Sequence, residues 1–205
     1  MTNTIAELIE NRSSIGRYDT ERQMSDEQVN ELVRLATLSP SAFNIQNWRF
    51  IAVRSDEAKQ KLLEVSYGQQ KVADASVTFI VCGLTEAYGD LPAALQPSVD
   101  AGIINQSLVA DWTAMMTESQ QGNPQAQRDE AIRTASLASM TMMLAAEGMG
   151  LGSGAMTGFD MEGLVEAFEL SPREIPVMLV TVGYPAANNW PQKHRLPVEQ
   201  VMTTV

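Results

Sequence analysis

The chain of 205 residues is long enough to bury a full hydrophobic core as a single domain over residues 1–205, and its 44% hydrophobic content is typical of a globular protein. Its formal net charge of −11 argues against non-specific binding to nucleic acid or to anionic lipid, since both present phosphates. An anionic ligand is therefore expected only where several cations are gathered locally.

The composition also predicts a cytoplasmic protein without a membrane segment. The first residues include Glu7 and Glu10 and contain no apolar run of the length that a signal peptide needs. The uncharged stretch Thr134–Ala146 is too short to span a bilayer. The single cysteine, Cys82, excludes an internal disulfide, and its place in the apolar run Val77–Gly83 predicts a buried thiol.

Two helices are predicted before the first proline. A short one over Thr4–Glu10 carries its apolar residues on one face. A second begins at Ser25, where the run SDEQ has the form of a capping box and is followed by apolar residues at helical spacing. This helix has to end by Ser39, because Pro40 disfavours helical geometry in the residue before it.

Three strands and a further helix follow from the patterns of apolar residues. Trp48–Val53 is predicted to be a strand, and Ser55–Val65 a capped helix. Val77–Gly83 and Pro176–Gly183 are β-branched and free of charge, as expected for buried strands. We therefore expect a central sheet of four or five strands in a fold of the α/β or α+β class, with helices dominating.

The middle of the chain is dominated by helical patterns. Prolines and glycines divide residues 85–124 into short helices or loops, with a helix predicted within Asp100–Glu118 that carries Trp112. Gln125–Glu147 is the longest helical segment. Its second half is apolar all round, which predicts burial on every side, in the middle of the domain or at a subunit interface.

The glycine-rich run Gly148–Gly158 is not a nucleotide-binding loop. It lacks the Gly-Lys-Ser/Thr of a P-loop, and it follows a helix where a dinucleotide fingerprint would follow a strand. We expect Gly148 or Gly150 to end the preceding helix. The run Ala155–Gly158 is predicted to be flexible, with backbone N–H groups that approach a flat ligand.

The usual constellations of hydrolases and metalloenzymes are missing from the sequence. His194 is the only histidine, which excludes a multi-histidine metal site and leaves a catalytic triad without a spare candidate. We therefore expect no metal site, and no side chain that has to act as an acid or a base.

Cations do cluster in two places, in a chain that has few of them. Asn11–Arg17 offers two arginines and two hydroxyls, and Lys193–Arg195 offers three more donors near the C-terminus. Taken alone, each segment is typical of a solvated loop. A third polar segment, Ser39–Trp48, is rich in the amides and hydroxyls that hydrogen-bond planar heterocycles.

Together and in this order, the segments resemble the nitroreductase family of FMN enzymes. Arg12–Asp19 matches the family's opening R-R-S-x-R/K-x-F/Y-D run, and Pro40–Trp48 matches its P-S-x-x-N-x-Q-P-W run, which is the most specific motif. The matches continue through Gln69–Ser76, then Ala155–Asp160, and close on a K-x-R motif at Lys193–Arg195.

The resemblance implies an α+β nitroreductase-like fold, with a central, mostly antiparallel sheet surrounded by helices. It also implies a homodimer with a long buried helix at an extensive interface and FMN sites shared between the subunits. NADPH or NADH would be the electron donor. Nitroaromatics, quinones or activated alkenes would be the small-molecule substrates, reduced by a ping-pong mechanism.

The same resemblance implies which residues bind FMN. Those expected at the phosphate are Arg12, Ser13, Ser14, Lys193 and Arg195. Those expected from the partner subunit are Pro40, Ser41, Ala42 and Asn44. Those expected at the pyrimidine side of the flavin are Gln69 and Lys71. Those expected to present backbone N–H groups near the flavin N5 are Met156, Thr157 and Gly158.

Three departures from the family pattern carry expectations of their own. Gly16 stands where relatives often have Arg or Lys, and alternation along an extended segment would direct the side chain of Arg17 away from the phosphate. Thr157 stands where some relatives have Glu, which bears on substrate preference. Asn47 replaces the usual proline and is expected to loosen its loop.

Other functions are compatible with the same motifs. Within the family, reductive dehalogenation, enone reduction and flavin fragmentation are alternatives. The chain could also be a flavin-binding redox module without dedicated turnover. A helical interaction protein without a cofactor is a third alternative.

Overall fold

A four-stranded antiparallel sheet runs through the middle of the protein, and helices pack on both of its faces. The computed structural model describes residues 4–205. In chain order, the strands are β1 (Trp48–Val53), β2 (Val77–Leu84), β3 (Gly152–Met156) and β4 (Glu174–Gly183). They lie in the order β1–β2–β4–β3, so β1 and β3 form the two edges of the sheet.

The helices account for most of the remaining chain. They are α1 (Ile5–Asn11), α2 (Asp26–Ala36), α3 (Asp56–Val65), α4 (Lys71–Asp74), α5 (Leu91–Asp100), α6 (Gln106–Gln120), α7 (Pro124–Gly148), α8 (Met161–Ala167) and α9 (Val198–Val201). Short 3₁₀ turns cover Ala42–Asn44 and Ala87–Gly89. Within residues 4–205, none of these helices combines the length and the apolar character that crossing a bilayer requires.

The two faces of the sheet bury different sets of helices. Alternate residues of β2, such as Phe79 and Val81, join a cluster with α2 and α7. The residues between them, such as Ile80 and Cys82, join a second cluster with α3 and α8. Cys82 is fully buried as predicted, and burial raises the pKa of its thiol to about 12.

The helix-start signals in the sequence are confirmed. Ser25 caps α2 in a capping box with Gln28, and α2 ends before Ser39. The strand β1 has the predicted bounds, and α7 extends the predicted helix by one residue at each end. Gly150 ends α7 as predicted, with a φ of +71° and with the N–H of Leu151 bonded to the carbonyl of Ala146 at 2.9 Å.

The prediction of a flexible run over Ala155–Gly158 was wrong for its first half, because Ala155 and Met156 belong to the edge strand β3. Glycine lowers the intrinsic strand preference, but pairing with β4 decides this segment. The glycines are needed for a close approach. A Cβ on Gly152 would lie 2.5 Å from the Cγ1 of Ile15.

The predicted helix that carries Trp112 is confirmed as α6, which begins later than Asp100, at Gln106. α5 ends at Asp100, Gly102 turns the chain with a φ of +70°, and α6 begins at Gln106. Asn105 caps α6 by accepting the N–H of Leu108 at 2.9 Å.

The expectation that α7 is buried on every side does not hold within one chain. The sheet covers one side of the helix, whereas Leu137 and Met140 on the other side are 42% and 39% exposed. The expectation that Asn47 loosens its loop is also wrong. Its side-chain Nδ2 and its backbone carbonyl both hydrogen-bond Leu84, which pins the loop to the end of β2.

Candidate functional site

The chain after α1 runs along the edge strand β3. Ser14 pairs with Ser153 in a parallel bridge, and the N–H of Ile15 donates to the carbonyl of Ser153 at 2.9 Å. Gly154 leaves room for this approach, since a Cβ there would lie 2.8 Å from the carbonyl oxygen of Ile15. The motif Arg12–Arg17 is thereby held beside the sheet.

The C-terminal segment that carries the K-x-R motif lies against this N-terminal motif. Asn189 Oδ1 accepts the N–H groups of Gly16 and Arg17 at 2.9 and 3.0 Å. Gln192 Nε2 donates to the carbonyl of Arg12 at 2.9 Å. Two segments from opposite ends of the chain thus form one cationic surface.

Two joined clefts open where these segments meet. The larger, of about 300 Å³, is lined by Lys71 of α4 together with residues of both segments. The smaller, of about 60 Å³, shares Ser14 and Lys193 with it and also contacts Arg195. Of the residues that the sequence predicted at the ligand, the structure therefore brings together Ser14, Lys71, Lys193 and Arg195.

The clefts carry positive charge that no carboxylate neutralises. None of the residues that line them in the described part of the chain is acidic. Six cations elsewhere in the described residues have carboxylate partners, in the pairs Arg34–Glu31, Arg49–Glu174, Arg54–Asp26, Lys61–Glu57, Arg133–Glu130 and Arg173–Asp90. Cations with free donors in an otherwise acidic chain suit a ligand with a phosphate dianion.

Lys71 is the most enclosed of the cleft cations. Burial lowers the pKa of its ammonium group below the ordinary value, because water no longer stabilises the charged form fully. An anion bound beside Lys71 would stabilise the charged ammonium group. The charged group would in turn bind that anion more tightly than the neutral amine does.

Arg12 and Ser13 lie next to the clefts without lining them. Both are partly buried and precede Ser14, the first residue of the segment that reaches the clefts. Burial raises the pKa of Glu147 on α7, and the nearby Arg12 lowers it in part. Arg12 therefore has an acid in its neighbourhood, unlike the cations in the clefts.

The expected orientation of Arg17 is not observed. Arg17 lines the larger cleft together with Gly16, although an extended strand would send neighbouring side chains to opposite sides. The backbone N–H groups of Gly16 and Arg17 both donate to the same atom, Asn189 Oδ1, and consecutive N–H groups of an extended backbone point in opposite directions. The segment is turned here, and the alternation on which the expectation rested is lost.

The residues predicted near the flavin ring lie at the end of β3 and directly after it. Met156 is the last residue of that strand and is buried, whereas Thr157 and Gly158 are exposed. The side-chain Nε2 of Gln69 donates to the carbonyl of Gly158 at 2.8 Å. The structure thus joins the Gln69–Lys71 motif to the Met156–Gly158 motif, although 85 or more residues separate them.

The structure does not bring the segment Pro40–Asn44 to the clefts of the same chain. This segment precedes β1 at one edge of the sheet, while the clefts lie beside β3 at the other edge. Three strand spacings, about 14 Å, separate the two edges. The residues Pro40, Ser41, Ala42 and Asn44 therefore form a second surface.

This second surface is built on a strained backbone. Phe43, Asn44 and Gln46 have φ values of +52°, +58° and +53°, in the left-handed region that side chains other than asparagine rarely adopt. The N–H of Gln46 donates to Ser41 Oγ at 3.0 Å, and the ring of Phe43 packs 5.8 Å from that of Trp112. Strained loops held by their surroundings are common at ligand sites.

The sequence analysis missed the residues that hold the cationic surface together. Asn189 and Gln192 bond the N-terminal motif, and Trp190, which is 72% exposed, lies under the ammonium of Lys193 at 4.8 Å. The signal for them was the run of uncharged amides before the K-x-R motif, which by itself is typical of any loop.

A family sequence profile and the names of individual relatives indicate the same family. The sequence profile described as Nitroreductase family matches residues 9–184. The chain is 34% identical to YodC of Bacillus subtilis, which carries the name of an NAD(P)H nitroreductase, over 99% of both chains. It is 25% identical to the CLA biosynthesis enone reductase of Lactiplantibacillus plantarum, over 89% of this chain and 86% of that protein.

A solved structure is similar over the whole length. It is a nitroreductase in complex with FMN from Exiguobacterium sibiricum, 28% identical in sequence, with a TM-score of 0.92 over 100% of this chain and 99% of that one.

Proposed function

The chain belongs to the nitroreductase family, and from this premise we propose that it is an FMN-dependent oxidoreductase that takes electrons from NADPH or NADH and reduces small electron-poor molecules. The observation that carries the proposal is the pair of joined clefts with cations and no acid among their described lining residues, in a chain of net charge −11. We place this activity in the cytoplasm, where reduced nicotinamide coenzymes are available.

The donors present fit FMN. Ser14, Lys193 and Arg195 line a cleft of the size of a small anion and would hold the phosphate, with Arg12 and Ser13 beside them. Lys71, with Gln69 two residues before it, would favour negative charge on the pyrimidine side of the ring. Backbone N–H groups of Met156–Gly158 would face its reactive edge. When bound, FMN supplies hydride transfer between NAD(P)H and the oxidant, and the protein positions it.

We further propose that the protein is a homodimer with two shared FMN sites. Large apolar side chains are exposed on α1, on α7 and in the C-terminal segment: Ile5, Ile9, Leu137, Met140, Leu196, Val198, Val201 and Met202. Such a surface is typical of an interface that a second copy covers. A second copy would also supply Pro40, Ser41, Ala42 and Asn44, which one chain keeps away from its own clefts.

The cofactor is tested by its release from the purified protein. We expect a yellow protein whose heat-released flavin co-elutes with FMN, because the clefts offer donors for one terminal phosphate rather than for an adenylate. Chromatography of the released flavin against FMN and FAD standards makes the measurement. FAD, or a colourless protein that does not take up added FMN, would contradict the proposal.

We propose nitroaromatics and quinones as the oxidants, with a ping-pong mechanism. If the coenzyme and the oxidant occupy one site in turn, double-reciprocal plots with menadione or nitrofurazone should give parallel lines, with inhibition at high oxidant concentration. Intersecting lines would mean that both substrates bind together. FMN bound without any oxidation of NADPH or NADH would instead identify a redox module.

Enone reduction is a second candidate, favoured by the similarity to the enone reductase of Lactiplantibacillus plantarum. The two candidates are separated by comparing kcat/KM for an α,β-unsaturated ketone with kcat/KM for nitrofurazone under the same coenzyme concentration. A preference of about a hundredfold for the enone would make it the better assignment.

A further inference from the structure

The side chain of Gln192 links two of the cations proposed to bind phosphate. Its Nε2 donates to the backbone carbonyl of Arg12 at 2.9 Å, and its Oε1 accepts from Nη2 of Arg195 at 2.9 Å. One amide therefore connects the N-terminal motif with the C-terminal K-x-R motif, which are 180 residues apart between Arg12 and Gln192.

A second amide completes the connection. Asn189 accepts the N–H groups of Gly16 and Arg17 and donates to the carbonyls of Arg17 and Ala186, at 2.8 to 3.0 Å. All four polar positions of this side chain are used, so the two segments cannot shift relative to each other without breaking hydrogen bonds.

We propose that Gln192, supported by Asn189, is a positioning residue that holds the guanidinium of Arg195 against the backbone of Arg12 in a preformed phosphate site while leaving the charge of Arg195 free. This inference rests on the proposed FMN function. An amide suits the role because it offers a donor and an acceptor at once and carries no charge. A carboxylate of the same shape would bind Arg195 as an ion pair and would have no donor for the carbonyl of Arg12.

A carboxylate is the partner of five of the ten arginines in the described residues. Arg34, Arg49, Arg54, Arg133 and Arg173 each bond a carboxylate in the described residues. Arg195 instead bonds Gln192 and the carbonyl of Lys193. Its charge is therefore available to a ligand, although its position is already determined.

The test compares FMN with riboflavin, which lacks the phosphate. Apoprotein variants are titrated with each flavin by fluorescence quenching. Gln192→Glu keeps the shape but adds a charge close to the phosphate, and we expect it to weaken FMN about a hundredfold or more, an effect of the size of a lost charge-assisted hydrogen bond. Gln192→Ala should weaken FMN about three- to tenfold, since only the ordering of side chains is lost. Riboflavin affinity should stay within about twofold in both variants.

A matched control separates this effect from net charge and from folding. Gln121→Glu adds the same charge at an exposed position after α6, distant in sequence from both segments, and should leave both affinities unchanged. Thermal melting of each apoprotein shows whether the variant is folded.

The outcomes distinguish the inference from the proposed function. Equal weakening of FMN and riboflavin by Gln192→Glu in a folded protein would show a general structural role and overturn the inference. Unchanged FMN affinity would overturn it as well. A wild-type apoprotein that binds neither flavin would instead overturn the proposed function.

Discussion

Removal of the guanidinium group of Arg12 or of Arg195 is expected to weaken FMN binding strongly. A hydrogen bond to a charged group contributes roughly 1.5–3 kcal/mol. At about 1.4 kcal/mol per decade, Arg12→Ala or Arg195→Ala should therefore raise the Kd about ten- to a hundredfold or more. Titration of the apoprotein with FMN by fluorescence quenching measures each change. If both variants keep wild-type affinity, the phosphate site lies elsewhere.

Two neighbouring positions serve as internal comparisons for these arginines. Arg17 lines the larger cleft but not the smaller one proposed for the phosphate, so Arg17→Ala should weaken FMN only about two- to fivefold. A Cβ on Gly16 would have no neighbour within 4 Å, so Gly16→Arg fits without displacement and should tighten FMN. An effect of Arg17→Ala as large as that of Arg12→Ala would show that Arg17, not Arg12, is the phosphate ligand.

The largest gain in FMN affinity is expected when two variant chains that each bind FMN poorly are combined in one dimer. Arg12→Ala with Arg195→Ala in one chain removes two of the three cations proposed at the phosphate. Ala42→Trp in another places a bulky side chain on the separate surface formed by Pro40–Asn44. If each site takes its cations from one subunit and this surface from the other, a heterodimer of the two chains has one intact site and one doubly defective site. It should bind FMN at one of its two sites with wild-type affinity.

This experiment needs two affinity tags and purification of the co-expressed heterodimer. The parent homodimers, which should bind FMN at least about a hundredfold more weakly, are the controls. Sedimentation at about twice the 22.4 kDa chain mass verifies assembly. A heterodimer as defective as its parents would mean that each chain builds its site alone, and the shared-site proposal would have to be abandoned.

Local patterns in the sequence predicted much of the secondary structure. The capping box at Ser25 and the alternation in Trp48–Val53 each depend on residues only two to four positions apart. They can therefore be recognised in the sequence without knowledge of the tertiary structure. The strand β3 was not predicted, because its glycines carry no such pattern. It forms because β4 pairs with it on one side and Ile15 approaches it on the other.

The candidate site, like the secondary structure, was predicted in part from the sequence. Its cations and its polar loop stood in motifs that resemble those of nitroreductases, and the comparisons confirm the family. The turn at Gly16 and Arg17 was not predictable, because it depends on hydrogen bonds to Asn189, at separations of 173 and 172 residues. No local sequence pattern predicts which distant side-chain amide will accept a hydrogen bond from a given backbone N–H group.

The sequence by itself determined the family, most of the principal helices, three of the four strands, and the residue types available to an anionic ligand. The tertiary structure alone decided which of them meet. It placed Ser14, Lys71, Lys193 and Arg195 around joined clefts and kept the loop Pro40–Asn44 at the opposite edge of the sheet. The reason is that helix and strand preferences act over a few residues, whereas the order of the strands sets distances between segments far apart in the chain.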